Sequence, residues 1–122
     1  MRAKTYRGSC LCGDIRFSFK GDLDDAYFCH CTQCRKNYGM HGAFVGVERD
    51  ALALNKTTAL RAYKSSRSTV RTFCGTCGSP ISWDRKDYER IYVCMGLLEG
   101  KIAPPKITNI HTKHKGAYYK ID

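Results

Sequence analysis

Apolar and polar residues alternate along much of the chain. Ile15, Phe17 and Phe19 are separated by Arg16, Ser18 and Lys20. A period of two puts the apolar set on one face, so this stretch is predicted to be a strand with one buried side. Ala43-Phe44-Val45-Gly46-Val47 is a short apolar run of the kind that forms a buried strand. Leu60 to Tyr63 and Val70 to Phe73 are predicted strands on β propensity. So is Ile91-Tyr92-Val93-Cys94-Met95, ended by Gly96. Lys106 to His111 follows Pro104-Pro105 and is predicted to be a last extended segment. Helical periodicity is weak. Cys31 to Tyr38 has room for one or two turns before Gly39, and Glu48 to Asn55 for a short turn. The pattern predicts a mostly β fold with short helical turns.

With 122 residues and 13.8 kDa, the chain is long enough for one core, so residues 1–122 are expected to form a single domain. Apolar residues at 43% and charged residues at 26% are ordinary globular values and exclude wholesale disorder. No run approaches the ~18 apolar residues of a membrane span. The start, Met1 to Arg7, has no apolar core, so no signal peptide and a cytoplasmic location are expected. Against that background, eight cysteines stand out. A reducing compartment disfavours a disulfide network, so these thiols are expected to bind metal or to do chemistry.

Seven of the cysteines fall in three clusters: Cys10-Leu11-Cys12-Gly13, Cys29-His30-Cys31-Thr32-Gln33-Cys34 and Cys74-Gly75-Thr76-Cys77-Gly78. The C-x-x-C of the third is a common zinc half-site, because a tight turn presents both sulfurs to one ion ~2.3 Å away. Its glycines permit the positive φ such turns demand. Residues two apart in an extended chain point the same way, so Cys10 and Cys12 can share an ion while Leu11 faces the core. The simplest pairing joins Cys10, Cys12, Cys74 and Cys77 in a closed structural site that staples the N-terminal strand to a later hairpin. Zinc is the expected metal, and an iron–sulfur centre its main rival.

The second cluster differs. Cys29 and Cys31 lie on one side of an extended stretch and His30 on the other. Cys34 joins them if a helical turn begins at Cys31. This gives a three-thiolate nest with no local fourth ligand, and three protein ligands with an open position mark a zinc site that can bind something. A closed site would need His41, His111, His114 or Cys94 as fourth ligand; a metal-free redox thiol set is the other alternative. Thiolate-rich zinc is a weak Lewis acid suited to a soft ligand, above all another thiolate. Such a thiolate beside an aldehyde can form a hemithioacetal, and the reverse reaction breaks the carbon–sulfur bond.

Three motifs in order, Gly8-Ser9-Cys10-Leu11-Cys12-Gly13-Asp14-Ile15-Arg16-Phe17, Cys29-His30-Cys31-Thr32-Gln33-Cys34-Arg35 and Phe73-Cys74-Gly75-Thr76-Cys77-Gly78, closely resemble the glutathione-dependent formaldehyde-activating enzyme family, which includes centromere protein V. Asn109-Ile110-His111-Thr112-Lys113 looks like the family's late histidine strand, so the resemblance spans nearly the whole chain. It implies a zinc-bearing Mss4-like β-tent fold. It also implies a structural zinc on Cys10, Cys12, Cys74 and Cys77. A catalytic zinc, displaceable when glutathione binds, falls on Cys29, Cys31 and Cys34. The implied activity is that of a carbon–sulfur lyase forming or cleaving an S-hydroxymethyl adduct, with glutathione or a related thiol as co-substrate.

Charge adds a second possibility. Lys plus Arg is 21 against 11 Asp plus Glu, a formal +10. Metal-bound thiolates at both sites would leave about +7. Such a surface attracts a small anionic thiol with its small aldehyde partner, or nucleic acid. Lys56, Arg61, Lys64, Arg67 and Arg71 with Tyr63 are a candidate nucleic-acid stripe. A non-catalytic protein-interaction module is a further alternative, and both a monomer and a homodimer are compatible with the sequence. Outside the clusters, His30 is expected to pack away from the ion and make a hydrogen bond, and Cys94 to be a buried free thiol. Trp83 is expected over the four-cysteine site or in the core. Arg35 and Lys36 are candidates for holding a substrate carboxylate, and the resemblance makes His111 a candidate near the cleft.

Overall fold

The apolar stretch at residues 15–19 forms the centre of a small sheet whose buried face makes the main core. A computed structural model describes residues 4–121. The expectations for one domain over 1–122 and for the N-terminal start extend to Met1–Ala3 and Asp122, which lie outside the described residues. The strands in chain order are β1 (Lys4–Ser9), β2 (Arg16–Gly21), β3 (Ala26–Cys29), β4 (Gly42–Glu48), β5 (Leu52–Lys56), β6 (Leu60–Lys64), β7 (Thr69–Cys74), β8 (Pro80–Arg85), β9 (Arg90–Cys94) and β10 (Ile107–Ile110). One α-helix, α1, covers Thr32–Tyr38, and three short 3₁₀ turns complete the chain. The mostly β expectation holds.

One sheet has the order β1-β2-β5 and the other β10-β3-β4-β9-β8-β7-β6. Neighbours are antiparallel except β10, which runs parallel to β3 with Ile110 opposite Cys29. Phe17 and Phe19 of β2 meet Val45 and Val47 of β4 and Val93 of β9, with Leu23 and Leu98 closing the cluster. Each large apolar side chain so buried contributes roughly 1.5–3 kcal/mol. Gly8 lies so close to Phe17 that a Cβ would come within 2.3 Å of its ring.

The predicted strands fall in β2, β4, β6, β7, β9 and β10. Their ends differ: Ile15 precedes β2, Lys106 and His111 flank β10, and Met95 begins a 3₁₀ turn beyond β9. Residues 48–55 hold the expected short turn at Arg49–Ala51, then an additional strand, β5. Strand β1 is hidden by its polarity, as every one of its six residues except Gly8 is exposed or half-buried on a sheet edge. Strand β8 opens on Pro80, a breaker tolerated at the first position of a strand. Helix α1 ends as expected at Gly39, whose φ of 87° forms the left-handed cap. No helix among the described residues is long and apolar enough to cross a membrane.

Candidate metal centres

Two glycine-closed turns build the first cluster. After β1, the Gly13 N–H closes on the Cys10 carbonyl at 3.1 Å, and the Ile15 N–H donates to Cys10 Sγ at 3.2 Å. After β7, the Gly78 N–H closes on the Cys74 carbonyl at 2.8 Å, and the Cys77 N–H donates to Cys74 Sγ at 3.5 Å. Gly13 and Gly78 hold φ of 83° and 81°, which a side chain would strain. The turns bring Cys10 Sγ to 3.6 Å from Cys12 Sγ, and Cys12 Sγ to 3.7 Å from Cys74 Sγ. Four sulfurs each ~2.3 Å from a tetrahedral zinc lie ~3.8 Å apart. All four, Cys77 included, lie within 4.8 Å of one another. The donor set and its spacing fit a zinc ion.

Leu11 corrects an expectation. It is 87% exposed rather than facing the core. Residues 10–13 form a turn, not an extended strand, and Leu11 sits at its tip. Ser79 ties the two turns together. Its hydroxyl accepts from the Leu11 N–H at 3.0 Å and lies 3.2 Å from Cys77 Sγ. Hydrogen bonding to Ser79 lowers the Cys77 thiol to about 5.

The second cluster is local. Cys29 ends β3, Cys31 caps α1 by accepting from the Cys34 N–H at 3.4 Å, and Cys34 lies in the helix's first turn. The three sulfurs lie within 4.8 Å of one another, and among the described residues no further His, Cys, Asp or Glu joins the group. Cys34 is 1% exposed. The closeness of the two sulfurs holds the Cys29 thiol down at about 5 and pushes the Cys34 thiol up. Three thiolates fit zinc here too.

The proposed fourth ligands are elsewhere or apart. His41 packs on Phe28 and His30, and His114 lies in the last 3₁₀ turn. Cys94 lies against Tyr38 and is half-buried rather than fully buried as expected; desolvation there pushes its thiol up to about 12. His111 is nearest in character: it lines the same cavity as the sulfurs without joining their cluster. Its φ of 55° is the one positive value outside glycine among the described residues. His30 is buried and turned away, with Nε2 2.8 Å from Asn109 Oδ1 and Nδ1 against the Tyr119 hydroxyl.

A cavity of about 570 Å³ opens over Cys29, Cys31 and Cys34. Trp83, Tyr88 and Tyr92 form one wall, with ring centroids 5.5 and 5.9 Å from Trp83. Trp83 therefore belongs to the second cluster, not the first. Arg35 and Lys36 lie in the last turn of α1 and do not line the cavity. Arg71 does. It leaves the expected surface stripe: it is 4% exposed, pairs across the sheet with Trp83, and reaches the cluster. Its Nη1 donates to the Tyr38 hydroxyl at 3.0 Å and its Nη2 to Gln33 Oε1 at 3.2 Å, with Cys34 Sγ at 3.9 Å. The period of β7 carried a weak signal, since Thr69 and Arg71 share its buried face.

The family model of the glutathione-dependent formaldehyde-activating enzyme matches residues 5–114. Among solved structures, a Rhodobacter sphaeroides protein shares the fold. Its crystal structure matches with a TM-score of 0.70 at 24% identity, over 84% of this chain and 98% of that chain. No curated protein gives a significant match.

Proposed function

Because the chain belongs to the glutathione-dependent formaldehyde-activating enzyme family, we propose that it is a zinc-dependent carbon–sulfur lyase. It would form or cleave the S-hydroxymethyl adduct of glutathione or a related thiol. Cys10, Cys12, Cys74 and Cys77 would hold a structural zinc, and Cys29, Cys31 and Cys34 a catalytic one. One observation carries the reading: three sulfurs at the floor of a cavity, with no fourth donor beside them among the described residues.

Cys29, Cys31 and Cys34 would hold the zinc, which would supply an incoming thiol in its thiolate form near neutral pH. Attack of that sulfur on the aldehyde carbon would form the carbon–sulfur bond as the carbonyl π electrons moved to oxygen, and the oxygen would take up, through solvent, the proton the thiol had given up; cleavage would be the reverse. The chain's own residues make this productive. Cys29 and Cys34 are buried, and Trp83 and Tyr92 line one side of the cavity with apolar surface. Arg71, Arg85 and His111 line the cavity and favour an anionic thiol. Eight unpaired thiols suit a reducing compartment, so we place the reaction in the cytoplasm.

The test is direct. Zinc-loaded protein, glutathione and formaldehyde are mixed, and adduct formation is followed above the spontaneous rate. Wild type is expected to accelerate it and Cys31→Ser to return it to the spontaneous rate. Equal rates for the two proteins would remove the catalytic reading.

A further inference from the structure

Arg71 presents a problem of charge. A guanidinium is always charged, and a buried charge is costly unless an opposite charge answers it. Arg71 is 4% exposed, yet it forms no ion pair among the described residues. Its hydrogen-bond partners, Gln33 and Tyr38, are neutral, and its Nε has no partner. The sulfur nest, reached at Cys34 Sγ, is what answers it. The four-cysteine cluster has no such neighbour: its sulfurs receive hydrogen bonds from backbone N–H groups and Ser79, and from no Arg or Lys among the described residues. Cys12 there is exposed, so water screens its charge.

We propose that Arg71 is the built-in counter-charge of the Cys29–Cys31–Cys34 nest, making a buried three-thiolate metal site tenable and admitting an anionic thiolate as the fourth ligand. The charges close. A divalent ion with three thiolates carries −1, which Arg71 brings to zero; a fourth thiolate would otherwise raise the buried charge to −2, and Arg71 leaves −1. Arg71 is thus a positioning residue. It holds Gln33 and Tyr38 at the two ends of α1, and it sets the sign of ligand that the cavity favours. The proposal rests on the reading that this nest holds a metal.

The experiment compares wild type, Arg71→Gln and Arg71→Lys in the full chain. Zinc release to a competing chelator is followed, and Co²⁺ binding is followed by its sulfur charge-transfer absorption. The tightly held first zinc reports that each variant has folded. Arg71→Gln keeps hydrogen-bonding capacity but loses the charge, and is expected to weaken the second site about 10–100-fold with the first unchanged. Arg71→Lys keeps the charge and is expected to recover most of that loss, and to take up thioglycolate more readily than Arg71→Gln does. Second-site affinity in Arg71→Gln equal to that of Arg71→Lys overturns the proposal, since it makes Arg71 a hydrogen-bonding strut. If Arg71→Gln does not fold, Arg71→Lys decides alone. Loss of its second metal with the first retained overturns the counter-charge. A wild type that never binds a second metal ion overturns both this proposal and the metal reading beneath it. A wild type that binds two but does not accelerate the adduct removes only the lyase reading.

Discussion

The two cysteine clusters use the same atoms for opposite ends. Cys10 and Cys12 meet Cys74 and Cys77 across a separation of 62 residues between Cys12 and Cys74, joining the turn between β1 and β2 to the turn between β7 and β8. Cys29, Cys31 and Cys34 lie within six residues of each other. Closing a long loop removes much more chain entropy from the unfolded state than closing a short one. A metal on the first cluster would therefore support the fold, whereas one on the second would add little. The second is free to be incomplete. It is also walled by aromatic side chains and answered by a buried cation, while the first is closed by its own four donors and open to water at Cys12.

The sharpest way to break this contrast is to remove one ligand from each. Cys74→Ser is expected to cost on the order of 5 kcal/mol or more, enough to unfold a domain of ordinary stability. Thermal melting with zinc present measures it. Cys31→Ser is expected to leave the melting temperature within a few degrees while abolishing the second metal and the adduct chemistry; zinc counting checks it. Comparable destabilisation by both variants would erase the distinction between a structural and a functional cluster.

Smaller effects sharpen the picture. Ser79→Ala removes the hydroxyl that ties Leu11 to Cys77 and is expected to cost about 1–2 kcal/mol, read by urea unfolding. Cys94 should behave as a thiol and not as a ligand. Its folded pKa is raised to about 12 from 9.0 by burial, so the folded state keeps this proton longer than the unfolded one. Its contribution is full below pH 9 and is lost as pH climbs towards 12, the loss being on the order of 1 kcal/mol by pH 10. Cys94→Val should lose that alkaline dependence. Leu11→Ser is expected to change stability by less than about 0.5 kcal/mol, against the 2–5 kcal/mol of a core leucine truncation.

The sequence made the two cysteine groups legible because metal-binding turns are written in short spacings of cysteine and glycine. The alternation around Phe17 and Phe19 likewise marked the core face of β2. It did not reveal β1, whose polar edge has no apolar period, nor the turn geometry that throws Leu11 into solvent. The least legible part was the cavity. Arg71 and Trp83 are distant from the second cluster in sequence and reach it only through strand pairing in β7 and β8. A buried arginine also inverts the polar-outside rule that places such a residue on the surface. Its role depends on an anionic site that only the folded chain assembles.

Zinc K-edge X-ray absorption of the two-zinc protein, before and after glutathione is added, reads whether the second zinc accepts a further sulfur. A sulfur-poor position at the second zinc should fill, so the mean number of sulfur ligands should rise in wild type and stay fixed in Cys31→Ser. A sulfur shell already complete in wild type and indifferent to glutathione would contradict the account.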